Sequence, residues 1–245
     1  MPLLAPTPRR PRWHRLVVSG VESAGPDLVI VTLDVPEEAR DAFIRYDAGQ
    51  YLTVRVDTPG GPASRSYSIA TAPSAARATG RIRIGVTVVP GGQVSPLVAR
   101  WAPGTDVDVL PPLGDLVLTP RARGPVLAIG GGSGITPVVA IAGEWVETGR
   151  DGRLTVVHVA RDDARAMFAG ELAALAEAHA GSVELLPVRT AVHGWPTEQS
   201  LRRLLGDRLR GGPVLVAGPE GLVRVVEAAA DGPVLSEVFH GGHPD

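Results

Sequence analysis

The run Ile129-Gly130-Gly131-Gly132-Ser133-Gly134-Ile135-Thr136-Pro137 carries the strongest chemical signal in the chain. Its glycines let a ligand reach the backbone, Thr136 reads as a helix N-cap, and Pro137 suits the first helical position. Free N–H groups and the positive end of a helix would then face the loop, a setting that wants a phosphate. A tight turn needed only for helix packing is the plainer reading; the loop's place after the first strand of an alternating series favours a ligand. Gly91-Gly92-Gln93-Val94-Ser95-Pro96-Leu97 repeats the design, with Ser95 as N-cap and Pro96 first in the helix. Arg65-Ser66-Tyr67-Ser68 puts a guanidinium and a phenol on alternate strand positions, hence on one face. Arg pairs with pyrophosphate and a Tyr ring lies against a flat heterocycle, although an exposed Arg and a core Tyr would look the same. Two phosphate sites suggest two dinucleotides.

The elements that must position these groups follow two grammars. Up to about residue 118, short β-branched runs alternate with turn residues: Leu16 to Val21, Leu28 to Val35, Tyr51 to Val56, Ser66 to Ala70, Ile82 to Val89, Val107 to Leu110 and Leu116 to Leu118. Such strands must hide their edges, and a small antiparallel barrel does so. Beyond Pro120, strands expected at Val126 to Ile129, Leu154 to Val159, Val183 to Leu186, Val214 to Ala217 and Val234 to Phe239 alternate with helices, at Pro137 to Thr148, Arg165 to His179, Ser200 to Leu209 and Glu220 to Ala230. That pattern predicts a doubly wound parallel sheet. The expected division is a flexible leader over 1–12, an all-β antiparallel barrel over 13–119 and an α/β nucleotide-binding domain over 120–245.

Composition narrows the chemistry. The 245 residues are 44% apolar and carry a net charge of -2, with no basic block after the leader, which gives nucleic-acid binding little support. The absence of cysteine removes disulfides, thiolate metal sites and a cysteine nucleophile, and the absence of lysine removes Schiff-base chemistry. No apolar run reaches the ~18 residues of a membrane span, the leader lacks the apolar core of a signal peptide, and the cytoplasm is the expected compartment. His240 and His243 lack a nearby third ligand, so no metal site is expected. His158 reads as a core histidine and His193-Gly194-Trp195 as a loop; Ser133 does not fit a nucleophile elbow, since Ile135 stands where that motif needs glycine.

Tyr46 to Tyr51, Arg65 to Ser68, Gly92 to Ser95, Pro112-Leu113-Gly114, Gly130 to Pro137, Ala217-Gly218-Pro219 and Glu237-Val238-Phe239 resemble, in order and spacing, the ferredoxin-NADP reductase superfamily over roughly residues 13–240. Arg161, Met167-Phe168 and Glu171-Leu172 are similar to the reductase components of bacterial oxygenases, including the phenylacetyl-CoA oxygenase reductase type. The resemblance implies an FAD-binding barrel joined to an NAD(P)-binding domain, with hydride passing from NADPH or NADH to flavin N5 and electrons leaving singly. Those reductases commonly carry a four-cysteine ferredoxin domain at the carboxyl end. Here no cysteine occurs and the sequence ends soon after Phe239, so the expected acceptor is a separate ferredoxin, Rieske-type or haem protein.

By the same resemblance Arg65 would hold the FAD pyrophosphate beside Ser66, Tyr67 would pack on the flavin, and Ser68 would act near flavin N5. Backbone around Val86 and Val88, and Gly92, Gln93, Val94 and Ser95, would complete the FAD site. Gly131, Gly132, Ser133, Gly134 and Thr136 would take the nicotinamide cofactor's pyrophosphate, with Gly218 and Pro219 nearby. Phe239 would shield the flavin and Glu237 border the nicotinamide, giving Ser68 and Glu237 catalytic roles. The acid and base in Arg161-Asp162-Asp163-Ala164-Arg165 point to NADH and NADPH respectively; the reading leans to NADPH and leaves NADH open. The family often has a cysteine where this chain has Ala217, a departure that favours the rival reading: a flavin or nucleotide binder of the same fold, regulatory or scaffolding, without turnover.

Overall fold

The computed structural model describes residues 12–118, 122 and 124–239. The expected leader through residue 11, the boundary at Thr119-Pro120-Arg121, and His240 and His243 lie outside the described residues.

Six strands form the first half: β1 (His14–Gly25), β2 (Leu28–Asp34), β3 (Tyr51–Thr58), β4 (Gly61–Ser68), β5 (Arg81–Thr87) and β6 (Asp106–Leu113). Short helices α1 (Arg40–Phe43), α2 (Pro73–Thr79) and α3 (Ser95–Val98) lie between them. All pairings are antiparallel, in the order β4-β3-β6-β1-β2-β5. Side chains alternate across a strand, and Leu16/Val18, Val31/Leu33, Leu52/Val54, Ile82/Ile84/Val86 and Val107/Val109 accordingly fill one buried core. The ladder does not close outright. The bridge Ile69↔Ile84 and the bond from Ala70 N to Arg83 O draw its two ends together.

Two expected strands change. The strand predicted at Ser66 to Ala70 begins earlier, at Gly61, because Pro59-Gly60 forms a hairpin turn that pairs Thr58 with Gly61; Pro62 is accommodated because β4 is an edge. Leu116 to Leu118 form no strand. Leu116 and Leu118 are instead buried as packing side chains in a core shared with the second half.

That second half runs β7 (Val126–Gly131), α4 (Ile135–Glu147), β8 (Leu154–Ala160), α5 (Ala169–Ala178), β9 (Val183–Arg189), α6 (Thr190–His193), α7 (Glu198–Leu205), β10 (Val214–Gly218), α8 (Glu220–Ala229) and β11 (Val234–Val238). Its sheet is parallel, ordered β11-β10-β7-β8-β9. Every residue of β7, β8 and β10 is buried, as strands covered on both faces must be. α5 starts later than the pattern predicts, because Asp163–Arg165 make a tight 3-10 turn and Phe168 takes a left-handed φ of 63°. α7 opens on a capping box between Thr197 and Ser200. Among the described residues no helix is long and apolar enough to cross a membrane.

The two halves share one apolar core. Leu28, Ala70, Leu116 and Leu118 from the first half pack with Ile135, Val138, Ile141, Trp145, Met167 and Phe168 from the second. Gly85, on the outer face of β5, permits this approach: a Cβ there would lie 2.5 Å from Thr136 Oγ1 and 2.7 Å from Met167 Sδ. Polar clamps flank the apolar contact. Arg83 donates to both oxygens of Glu171 at 2.9 and 2.7 Å, and Glu144 accepts from Ser74 N and Oγ at 2.8 and 2.7 Å at the start of α2. Fully buried Trp145 anchors this seam and donates to Ser182 Oγ at 3.0 Å. Trp145→Ala should therefore cost about 3–5 kcal/mol. Wild type should unfold in one transition in urea by both fluorescence and far-UV dichroism, shifted to a lower midpoint in the variant; two separated wild-type transitions would mean that the halves fold independently.

Candidate functional site

The topology sets where a ligand should lie. From β7 the chain winds outward to β8 and β9, then returns to β10 on the other side, so the crevice falls at the carboxyl ends of β7 and β10. A cleft of about 610 Å³ opens there. Gly131, Gly132 and Ser133 line it from β7, Ala160, Arg161 and Arg165 from β8, Thr190 and Ala191 from β9, and Pro219 from β10. The barrel supplies the opposite wall, through Pro26, Asp27 and Leu28 at the β1–β2 turn and Thr87 to Pro90 after β5.

The glycine loop is built differently from its sequence reading. Gly132–Gly134 form a 3-10 turn after extended Gly131, and Gly134 is the N-cap of α4. Thr136 is no cap: it lies inside the first turn, fully buried, because its side chain packs at the seam opposite Gly85. Gly132 has φ +57° and open space where a side chain would project, which leaves its backbone facing the cleft. Gly134 approaches so closely that a Cβ would sit 2.2 Å from Ala217 O. Ser95 is likewise not a cap. It is the first residue of α3, Val94 precedes it as N-cap, and Ser95 Oγ accepts from Val89 N at 3.0 Å, which ties down the Gly91-Gly92 turn.

Of the expected site residues, Gly131, Gly132, Ser133, Val88, Arg161 and Pro219 line the cleft. The Arg65 group stands apart on edge strand β4. Arg65 is exposed, donates to Ser64 O at 2.9 Å, and has no carboxylate partner among the described residues. Burial pushes the Tyr67 phenol up to about 12, with the Arg65 charge pulling it back in part, consistent with the two sharing a face. Ser66 lies opposite Thr53, its Oγ 3.0 Å from Thr53 Oγ1, whereas Ser68 is almost closed from solvent. Val86 and Val94 point into the barrel core, so only their backbones could meet a ligand; Gly92 is half-buried and Gln93 exposed.

Across the sheet, register aligns His158, Gly130, Ala217 and Glu237 in one row, with side chains on one face. Gly130 and Ala217 are small because the first turn of α4 sits on them; a Cβ on Gly130 would lie 2.5 Å from Ile135 Cα. At one end of the row Glu237 is half-buried, burial pushes its carboxyl above the usual range, and Oε2 has no partner among the described residues. Phe239 follows, packs on the shared core and donates its N–H to Gly218 O at 2.9 Å. Thr136 Oγ1 is also buried without a partner. The open glycine turn, its backbone facing the cleft, fits the pyrophosphate of a flavin or nicotinamide dinucleotide. Sequence reasoning missed Trp195 and the β1–β2 turn as parts of the cleft and named Arg165 only within the Arg161 to Arg165 segment. The signals were an aromatic side chain directly after a turn glycine and a second arginine beyond Arg161.

The family model of an oxidoreductase FAD-binding domain matches residues 15–117, and that of an oxidoreductase NAD-binding domain matches residues 128–228. Together they define a two-domain flavin and nicotinamide oxidoreductase architecture. The chain belongs to the ferredoxin-NADP reductase superfamily. It is 35% identical over 189 residues to the ferredoxin reductase component of Rhodococcus rhodochrous 3-ketosteroid-9-alpha-monooxygenase, covering 76% of this chain and 52% of that protein. It is 32% identical over 177 residues to one component of the Escherichia coli 1,2-phenylacetyl-CoA epoxidase, covering 71% and 48%. The match thus spans about half the length of these two relatives. An Amycolatopsis cytochrome P450 reductase of known crystal structure superposes with a TM-score of 0.75 at 27% identity, over 94% of this chain and 71% of that one.

At the other end of the row His158 is 1% exposed and neither ring nitrogen has a partner among the described residues, so it is buried but not satisfied there. Burial, reinforced by the Arg189 charge, lowers its pKa from 6.5 to about 4. As pH falls below 6.5 the unfolded chain takes up a proton that the folded chain refuses until about 4, so stability present at neutral pH is lost across that window. The urea midpoint of wild type should fall between pH 7 and 4.5, by up to about 2–3 kcal/mol in stability from this group. In His158→Leu the fall should be shallower; parallel curves for the two proteins would remove histidine from the acid limb.

Proposed function

We propose that the chain is an FAD-dependent NAD(P)H reductase that passes electrons to a separate protein acceptor. One observation carries the reading: the cleft between the halves lies at the topological switch point and exposes the glycine turn on one wall, with barrel backbone on the other. FAD, when bound, would take a hydride from the nicotinamide and release electrons one at a time. Arg65, with no carboxylate to neutralise it among the described residues, is suited to the FAD pyrophosphate. Tyr67 offers a half-buried ring to the flavin, and Ser68 a hydroxyl in a nearly dry setting. On the other half the turn at Gly131 to Ser133 presents backbone to the second pyrophosphate, backed by Gly218 and Pro219. Glu237, whose carboxyl burial pushes above the usual range, would border the nicotinamide, and Phe239, tethered to Gly218, would cover the flavin.

The names of the relatives, a ferredoxin reductase component and a cytochrome P450 reductase, support a ferredoxin or a haem protein as acceptor, with a Rieske-type protein as the third candidate of this reading. The rival, a binder without turnover, has only Ala217 in its favour. That residue is fully buried beneath Gly134 and does not line the cleft.

Anaerobic addition of NADPH or NADH to FAD-loaded protein should bleach the flavin band; a yellow protein that keeps its colour would establish the binder instead. Arg65→Ala should weaken FAD binding about ten- to hundredfold, the value of a charge-assisted contact, and unchanged retention would reassign that residue. Gly132→Val, a β-branched side chain forced to positive φ inside the cleft, should raise the KM for the nicotinamide cofactor in steady-state reduction of an artificial acceptor.

A further inference from the structure

We propose that Gly85 is a positioning residue of the hydride transfer: its bare Cα, seated on Thr136 and Met167, fixes how far apart the two walls of the cleft stand, and with them the flavin and nicotinamide rings. This rests on the reductase reading above and names the residue that sets its geometry.

Arg83, Gly85 and Thr87 share the outer face of β5, because Ile82, Ile84 and Val86 fill the barrel core. Arg83 is clamped to Glu171, Gly85 meets the α/β half, and Thr87 lines the cleft. Thr87 lies only about 7 Å along the strand from Gly85. The α/β half is arranged in the same way. Thr136, which Gly85 faces, stands at the start of α4 just beyond the Gly132–Gly134 turn, and Gly132 and Ser133 of that turn line the opposite wall. A shift at the contact between Gly85 and Thr136 therefore moves both walls.

That contact has little slack. A Cβ on Gly85 would lie 2.5 Å from Thr136 Oγ1, 2.7 Å from Met167 Sδ and 3.2 Å from Phe168 Cε2, against 3.4 Å or more in ordinary contact. Met167 can swing its thioether aside. Thr136 cannot, since its side chain is β-branched, fully buried and part of the first turn of α4. Phe168 is pinned as well, at a left-handed φ of 63° that a bulky residue holds only where its surroundings impose it. The Arg83 guanidinium lies over the Phe168 ring, 5.7 Å from its centre, so the clamp to Glu171 closes on the same spot. One methyl on Gly85 must then push the halves apart by about 1 Å before contacts become ordinary. Hydride transfer needs reacting atoms about 3–3.5 Å apart, and a misplacement of about 1 Å costs about a hundredfold in rate.

The test compares wild type with Gly85→Ala, both loaded with FAD and kept anaerobic. In rapid-mixing reduction by NADPH or NADH, the variant should reach a limiting rate about ten- to a hundredfold lower, while its apparent dissociation constant for the nucleotide changes less than about threefold, because each wall keeps its own contacts. A second readout needs no turnover: a tetrahydronicotinamide analogue, which binds without reducing, should perturb the flavin absorption band in wild type and far less in Gly85→Ala. Adding Thr136→Ala to Gly85→Ala removes the hydroxyl that the new methyl meets, one with no partner among the described residues, and should recover both the rate and the perturbation. A wild-type limiting rate with an unchanged band in Gly85→Ala would overturn the proposal, as would a double variant that stays slow. If Gly85→Ala fails to fold or to hold FAD, the double variant decides: recovered loading and rate support the proposal, and continued loss would make Gly85 a residue of folding alone. A wild type that holds FAD and never bleaches would fail the reductase reading itself, before any variant is compared.

Discussion

The apolar contact between the outer face of β2 and β5 and the start of the α/β half is the constraint on which everything else depends. A barrel strand ordinarily spends its outer face on water. Here Leu28 and Ile30 on that face join the core around Trp145, and Gly85 is stripped of a side chain so that Thr136 and Met167 can close in. The cleft is the gap left where this packing stops. Its two walls are therefore set by the same side chains that stabilise the fold, and a ligand spanning them meets a preformed geometry rather than having to order it.

The architecture was largely legible because its signals are periodic. Alternation along β1 to β6, apolar runs in β7 and β10 and a mostly apolar β8 each state how many faces are covered. The glycine loop was legible for a related reason: close approach to Ala217 and a positive φ are demands that only glycine meets cheaply. What misled were residues with two plausible uses. Thr136 and Ser95 sit where caps are common, yet tertiary contacts claimed both side chains, one for the seam and one for the turn before α3. Leu116 to Leu118 have the composition of a strand, and nothing local says that no partner strand will lie beside them.

Long-range partners were the least legible part of the site. The string Arg161 to Arg165 holds acid and base side by side, and composition cannot assign them. Folding does, because Arg189 arrives from the neighbouring strand to take Asp163 while Arg165 turns back on Asp162. In the same way Trp195 belongs to the cleft only because α8 begins beside it. Row neighbours in the sheet are equally invisible in one dimension: His158 and Glu237 lie far apart in the chain and face the same side of one sheet, separated by the two smallest side chains of the row.

The groups at the tips of β8 and β9 carry little of the packing. Arg161 is exposed, and Trp195, beside Gly221, is half exposed. The residues that make the walls rigid and the residues at the rim of the cleft are thus largely different sets. On the proposed reductase reading, a lineage built on this scaffold could change its diet of reducing equivalents by point changes at strand tips, without renegotiating the interior that keeps the molecule in one piece.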